Sequence, residues 1–224
     1  MRLNNYLNEQ SVTPEQFLKD WNYLKRSEKL KIFNDMTQQV EKNCMPFLRE
    51  LRKRKESFLY SGRKASRDAL IHKQVRTDRK PKDTPEKIHN LLDAEFKKQT
   101  GIALRSNSVF CTPDVIEAKK YGTVYVIFPV GGNYQLWHNP KIKDLWGKMI
   151  WIYDASRKYD IYTQEKEELA EFFQEIVSGY KKGFPPNNVE VMLHCKEYMG
   201  ISWNWIKDQW MVDEFQNWIY KDKK

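Results

Sequence analysis

The sequence predicts an α+β domain with a helical N-terminal region, and three observations carry that expectation. One kind of helix start recurs at Thr13, Thr84 and Thr112, each a Thr-Pro-acid triplet. Short β-branched and aromatic runs dominate from Phe58 to about Trp203. No internal repeat or low-complexity linker divides the chain.

The triplets Thr13-Pro14-Glu15, Thr84-Pro85-Glu86 and Thr112-Pro113-Asp114 place Thr at N-cap, Pro at the first helical position and an acid in the first turn. The first helix carries Phe17, Trp21 and Leu24. A second, from about Ser27, carries Leu30, Phe33 and Val40 at helical spacing, so residues 1–55 form a helical N-terminal extension and 56–224 the main domain. The helix from Pro85 buries Ile88, Leu91, Leu92 and Phe96 and stops at Gly101; the one from Pro113 ends at Tyr121-Gly122. Strands are expected at SFLYSG, SVFCT, TVYVIFPV, YQLW, MIWIYD, VEVMLHC and GISWNW. A helix from about Gln164 to Val177 turns Leu169, Phe172, Phe173 and Ile176 inward, and Met211, Phe215, Trp218 and Ile219 mark a closing helix.

No apolar run approaches the roughly 18 residues of a membrane span, and the start MRLNNYLNEQ lacks an apolar signal region, so no membrane partner and a cytoplasmic location are expected. Cys44, Cys111 and Cys195 lie far apart, and His72, His89, His138 and His194 show no ligand spacing, so no metal is expected. The 39 basic and 30 acidic residues leave a net charge of +9. Between Arg49 and Lys82 there are 13 basic and 4 acidic residues, and 13 − 4 = 9, so this segment holds the whole excess. Confinement of the charge to one stretch points to a polyanionic partner.

PPNNVEVMLHC sets a single acid, Glu190, in an otherwise apolar strand. Val189, Val191 and Leu193 share one face, and Asn188, Glu190 and Met192 the other. An edge strand with a wet second face would account for a lone Glu; so would a carboxylate held rigidly for chemistry. Helix, turn-rich loop SGYKKGFPPNN and strand NVEVML together resemble the ADP-ribosyltransferase superfamily, in which an aromatic-bearing loop leads into a strand that starts Gln/Glu-x-Glu. RSNSVFCT is similar to that family's Ser-Thr-Ser stretch, and FLYSG resembles its first strand, which ends aromatic-Arg-Gly or aromatic-His-Gly. The motifs occur in the family's order over some two thirds of the chain.

The resemblance implies a split antiparallel sheet gripping NAD, used as a co-substrate, in a central cleft. Breaking the bond between nicotinamide and ribose develops oxocarbenium-like charge on the sugar, which a carboxylate stabilises more in the transition state than in the ground state. Glu190 would be that carboxylate. Ser106 would orient it, Gly62 would let NAD approach the backbone, and Tyr60 or Phe110 would wall the nicotinamide; Arg105 and Ser108 would also face the dinucleotide. Two departures stand out. Ser61 takes the place of the family's Arg or His, with Arg63 on the same strand face as a substitute cation. Asn188 takes the place of the Gln or Glu that accompanies acceptor choice, and its neutral amide speaks against arginine as acceptor. Phe184, in the loop before the strand, would stack on a base, pack on a protein side chain or simply anchor its own loop.

The first reading is therefore a mono-ADP-ribosyltransferase, of a toxin or phage-conflict kind, acting on nucleic acid, preferably single-stranded RNA or DNA, held by segment 49–82. A protein acceptor, with the basic segment docking an acidic partner such as an antitoxin, is the second. The third is a non-enzymatic nucleic-acid-binding protein, for which an enclosed acid at 190 has no use.

Overall fold

The computed structural model describes residues 23–54, 58–64, 68–77, 79, 84–145, 147, 166–186 and 189–220. The expected helix at Thr13, the strand MIWIYD and Asn188 lie outside them. Helix α1 (Arg26–Arg54) sends Phe33, Met36, Val40, Cys44, Phe47, Leu48 and Leu51 into the main core. The boundary expected at residue 55 therefore does not divide the packing. Cys44 departs from helical geometry (φ −121°, ψ 18°) two residues before Pro46; a proline ring inside a helix breaks the hydrogen-bond ladder. Beside this kink the Asn43 carbonyl accepts from Gly131 N–H at 2.8 Å.

Two four-stranded antiparallel sheets follow. The first has the order β1 (Tyr60–Arg63), β4 (Thr123–Pro129), β8 (Glu197–Ser202), β2 (Leu70–Gln74). The second has the order β3 (Val109–Cys111), β7 (Val191–Cys195), β5 (Tyr134–His138), β6 (Lys181–Lys182). Tyr60 and Thr112 exchange both backbone hydrogen bonds at 2.8 Å, joining β1 to the end of β3. Ser61 Oγ donates to the Phe110 carbonyl at 2.8 Å, a second tie across the same joint. The strands that carry the three sequence motifs, β1, β3 and β7, thus lie side by side.

Helices α2 (Glu86–Thr100) and α4 (Lys166–Ser178) cover the second sheet through Ile88, Leu92, Phe96, Phe173, Ile176 and Met192. The short α3 (Val115–Lys119) packs on β1 and β4. After β8 the chain turns into α5 (Trp203–Ile206) and closes with α6 (Gln209–Ile219), whose Met211, Phe215, Trp218 and Ile219 are buried as expected.

Several expectations need correction. GISWNW is strand only to Ser202. A strand would send Trp205 and Ile206 to opposite faces, whereas the α5 turn buries both. The polar edge strands β2 and β6 have exposed His72, Lys73, Gln74, Lys181 and Lys182 and no apolar alternation to announce them. Thr84 and Thr112 are not the helix caps. Pro85 is the N-cap of α2, and Asp114 caps α3 by accepting from the Ile116 and Glu117 N–H groups. Thr84 is instead buried and accepts from Arg105 Nη2 at 3.2 Å.

Candidate active site

Phe110 pairs with Met192 across the β3–β7 ladder, so their side chains share a face, and Glu190, two residues before Met192, falls on that face too. Its backbone N–H donates to the Lys143 carbonyl at 2.9 Å, which fixes the chain immediately ahead of β7. Glu190 as a residue is half-buried, but its Oε1 is enclosed and has no hydrogen-bond partner. Burial pushes the carboxyl up from 4.5 to about 7; Arg105 and Arg79 oppose the rise and Asp144 adds to it. At neutral pH the group is poised between its two forms.

Around Glu190 the charges are predominantly positive. The Arg79 guanidinium lies 3.9 Å and that of Arg105 5.5 Å from the Phe110 ring centroid. Arg63 sits 5.0 Å from the Tyr198 ring centroid. Arg63 Nε and Nη2 and Arg105 Nε are buried donors without a partner. Desolvation, together with Arg105, Arg63 and Arg76, pulls the Arg79 guanidinium down to about 10. Buried cations and unpaired donors are costly in a folded protein, so this electropositive cluster carries a cost that the fold itself does not offset.

Ser106 does not orient Glu190. Its hydroxyl donates to Asp93 Oδ2, its N–H donates to the same oxygen at 3.0 Å, and the Arg105 N–H donates to Asp93 Oδ1 at 2.8 Å. The β3–β7 register agrees: Glu190 adjoins the Cys111–Val191 end, while Ser108 precedes the Val109–Leu193 end. With its proton given to Asp93, the Ser106 oxygen accepts from His89 Nε2 at 3.0 Å. His89 Nδ1 is buried without a partner, and burial, ahead of Arg105 and Arg79, holds the ring neutral against the pull of Asp93. Nε2 thus faces both the serine and the acid, at 3.0 and 3.3 Å, so the linear Ser-His-Asp arrangement of a nucleophilic serine is not formed. The cluster locks the turn that carries Arg105.

Two further expectations fall, and the alternatives for Phe184 narrow to loop anchoring. A Cβ on Gly62 would lie 2.1 Å from the Ala118 carbonyl oxygen and 2.7 Å from Tyr121 Cβ, so this glycine admits α3 and leaves no room for a dinucleotide there. Tyr60 is edge-to-face with Phe58 and Trp203 in the main core and walls no cleft. The Phe184 ring stacks on Phe47 of α1, with centroids 5.7 Å apart and planes 19° apart, so its loop is anchored inward. Ser61 is committed to the Phe110 carbonyl and is not free to contact a ligand. Ser108 Oγ is buried without a partner.

The structure therefore brings together Glu190, Arg105 and Phe110, with Arg63 bordering Arg79 on the side of Tyr198 and Cys111. Sequence reading missed Arg79, Asp93 and His89. The last two carried a signal, since a polar pair four residues apart stands on the apolar stripe of α2 between Ile88, Leu92 and Phe96. Arg79 was hidden in a charge run. Among the described residues no group of His, Cys, Asp and Glu is placed to hold a metal, and no helix is long and apolar enough to cross a membrane. Comparison with protein-family models, with characterised proteins and with solved structures gives no match.

Proposed function

We propose that this chain transfers ADP-ribose from NAD to a nucleic acid, with Glu190 as the catalytic carboxylate. One observation carries the reading: Glu190 is held at the head of β7 with an enclosed, unpartnered carboxylate oxygen, beside Phe110 and a group of guanidiniums. The adjacency of β1, β3 and β7 supports it, because three motifs far apart in sequence meet at one joint. The residues fit NAD in part. The free donors of Arg63 and Arg105 suit a diphosphate, whereas Gly62 offers it nothing.

In the reaction the bond from ribose C1′ to the nicotinamide nitrogen breaks, its electron pair leaves with nicotinamide, and an acceptor atom bonds C1′ and gives up its proton. Ionised Glu190 opposes the charge that develops on the ribose. Buried guanidiniums fix the diphosphate without needing to reorganise.

The acceptor is assigned on charge alone, since Phe184 is engaged with Phe47. Arg49, Lys53, Lys64, Lys73 and Arg76 are exposed. Arg52 is not available to a partner: it pairs with Glu41 at 3.2 Å and donates to the Ile219 and Trp218 carbonyls. The surface charge of segment 49–82 is thus smaller than its formal charge, yet it remains basic among the described residues. Incubation with labelled NAD and separate pools of RNA, single-stranded DNA and cell protein tests the proposal. Label on single strands, with binding that weakens log-linearly in salt, is expected. Label on protein alone would move the assignment to a protein acceptor, and absence of NAD binding would remove the transferase reading.

A further inference from the structure

Arg79 is the charged group that the proposed chemistry leaves without a role. Its guanidinium lies over Phe110 at 3.9 Å, closer than Arg105 comes to the same ring. Arg105, Arg63 and Arg76 are close enough to disfavour its charge, and Glu190 favours it. Its attractions at this seat are therefore a π face and one carboxylate, against like-charge repulsion and lost hydration. The nicotinamide ring of NAD has the same two attributes: it is planar, and it carries a delocalised positive charge. Cleavage by Glu190 requires that ring to lie against the carboxylate's neighbourhood, where Phe110 is the aromatic face that already carries a guanidinium.

We propose that Arg79 occupies the nicotinamide seat on Phe110 and must be displaced for NAD to bind. The inference rests on the donor-site reading given above. Displacement is within the reach of arginine's flexible stem, which can turn the guanidinium away without a change of fold. A ligand that carries the ring meets an occupied seat, so its apparent affinity is reduced by the fraction of molecules in which the seat is open. ADP-ribose has no ring and does not meet that competition. Arg79 thus sets the relative affinity for substrate and for the ADP-ribose moiety alone.

The test measures, by calorimetry on the full chain, the dissociation constants of a non-hydrolysable carbocyclic NAD and of ADP-ribose for wild type, Arg79→Ala and Arg79→Gln. Both variants should bind the NAD analogue roughly tenfold tighter, the scale of a lost desolvated cation–π contact, with ADP-ribose within roughly twofold of wild type. Should Arg79→Ala fold poorly, Arg79→Gln, which keeps most of the length without the charge, carries the comparison. Weaker binding of both ligands would overturn the proposal and make Arg79 a diphosphate contact. Equal tightening of both, or no change in either, would also overturn it. Failure of wild type and variants alike to bind either ligand would bring down the donor-site reading, and the proposal with it.

Discussion

Asp93 and Glu190 are both enclosed carboxylates beside Arg105, and the fold treats them in opposite ways. Asp93 accepts from two backbone N–H groups and the Ser106 hydroxyl, with His89 Nε2 3.3 Å away. Glu190 has an oxygen with no partner at all. A carboxylate saturated by local donors is spent on structure: it fixes a turn and cannot change partners without undoing it. One left unsatisfied costs stability in the folded protein, and that cost persists in evolution where the group has something else to meet. The lone acid of VEVML and the acid on the buried stripe of α2 thus answer different needs, although both read as polar intrusions in apolar surroundings.

The largest expected effect breaks the saturated side of this comparison. Asp93→Ala removes the acceptor of two backbone donors and a hydroxyl, and each buried donor left unpaired costs roughly 1 to 3 kcal/mol, so a stability loss of about 3 to 4 kcal/mol is expected in denaturant unfolding. Asp93→Asn, which keeps one oxygen, should lose less. A loss below about 1 kcal/mol would show that the turn holds without Asp93.

The unsatisfied side is broken by Glu190→Gln, which keeps shape and removes the charge. Transfer from NAD should fall roughly 10²-fold or more, about 2.7 kcal/mol of transition-state stabilisation, with the fold intact. Wild-type kcat/KM should rise with pH through about 7, because the working form is the carboxylate. Stability should move the other way. The unfolded chain releases this proton near 4.5 and the folded protein near 7. Between those values the folded state binds more protons, so its stability falls as pH rises, by up to about 3 kcal/mol. Subtracting the stability–pH curve of Glu190→Gln isolates that contribution from His89 and other groups. A wild-type curve parallel to the variant's between pH 4.5 and 7 would place Glu190 in water.

How much of this was legible in the sequence follows from which interactions are local. The apolar stripes of α1, α2 and α6, the described part of α4, and the apolar runs of β4 and β7 state their burial in their own spacing, and the structure agrees except at Leu91. That residue, expected inside, is 42% exposed because His89 and Asp93 take the buried positions beside Ile88, Leu92 and Phe96. Glu190 was legible for the same reason: a charge that interrupts a two-residue period is visible without knowing what it faces. The partners were not. Ser106 and Ser108 are two residues apart in one motif, yet Asp93, thirteen residues upstream of Ser106, decides what Ser106 does. Gly62 read as a ligand approach because the sequence does not show that Ala118 and Tyr121 fill its space. Arg79 was one cation among many until the strands brought Phe110 beneath it.

The smallest expected effect sharpens the comparison at the level of hydroxyl groups. Ser106 Oγ is engaged by Asp93 and His89, whereas Ser108 Oγ is buried with no partner. Ser106→Ala removes a made hydrogen bond and leaves His89 Nε2 with Asp93 alone, so a cost of about 1 kcal/mol is expected. Ser108→Ala removes a hydroxyl that the folded protein does not satisfy, and should be neutral or stabilising by up to about 1 kcal/mol. The two serines come from one motif and differ chiefly in their partners, so the sign of the difference between the variants is more informative than either magnitude. If Ser108→Ala is destabilised as much as Ser106→Ala, the hydroxyl has a partner in solution and the distinction fails. If Ser108→Ala is as stable as wild type but binds carbocyclic NAD more weakly, Ser108 belongs with Glu190, a polar group left unpaired by the fold for a ligand to complete.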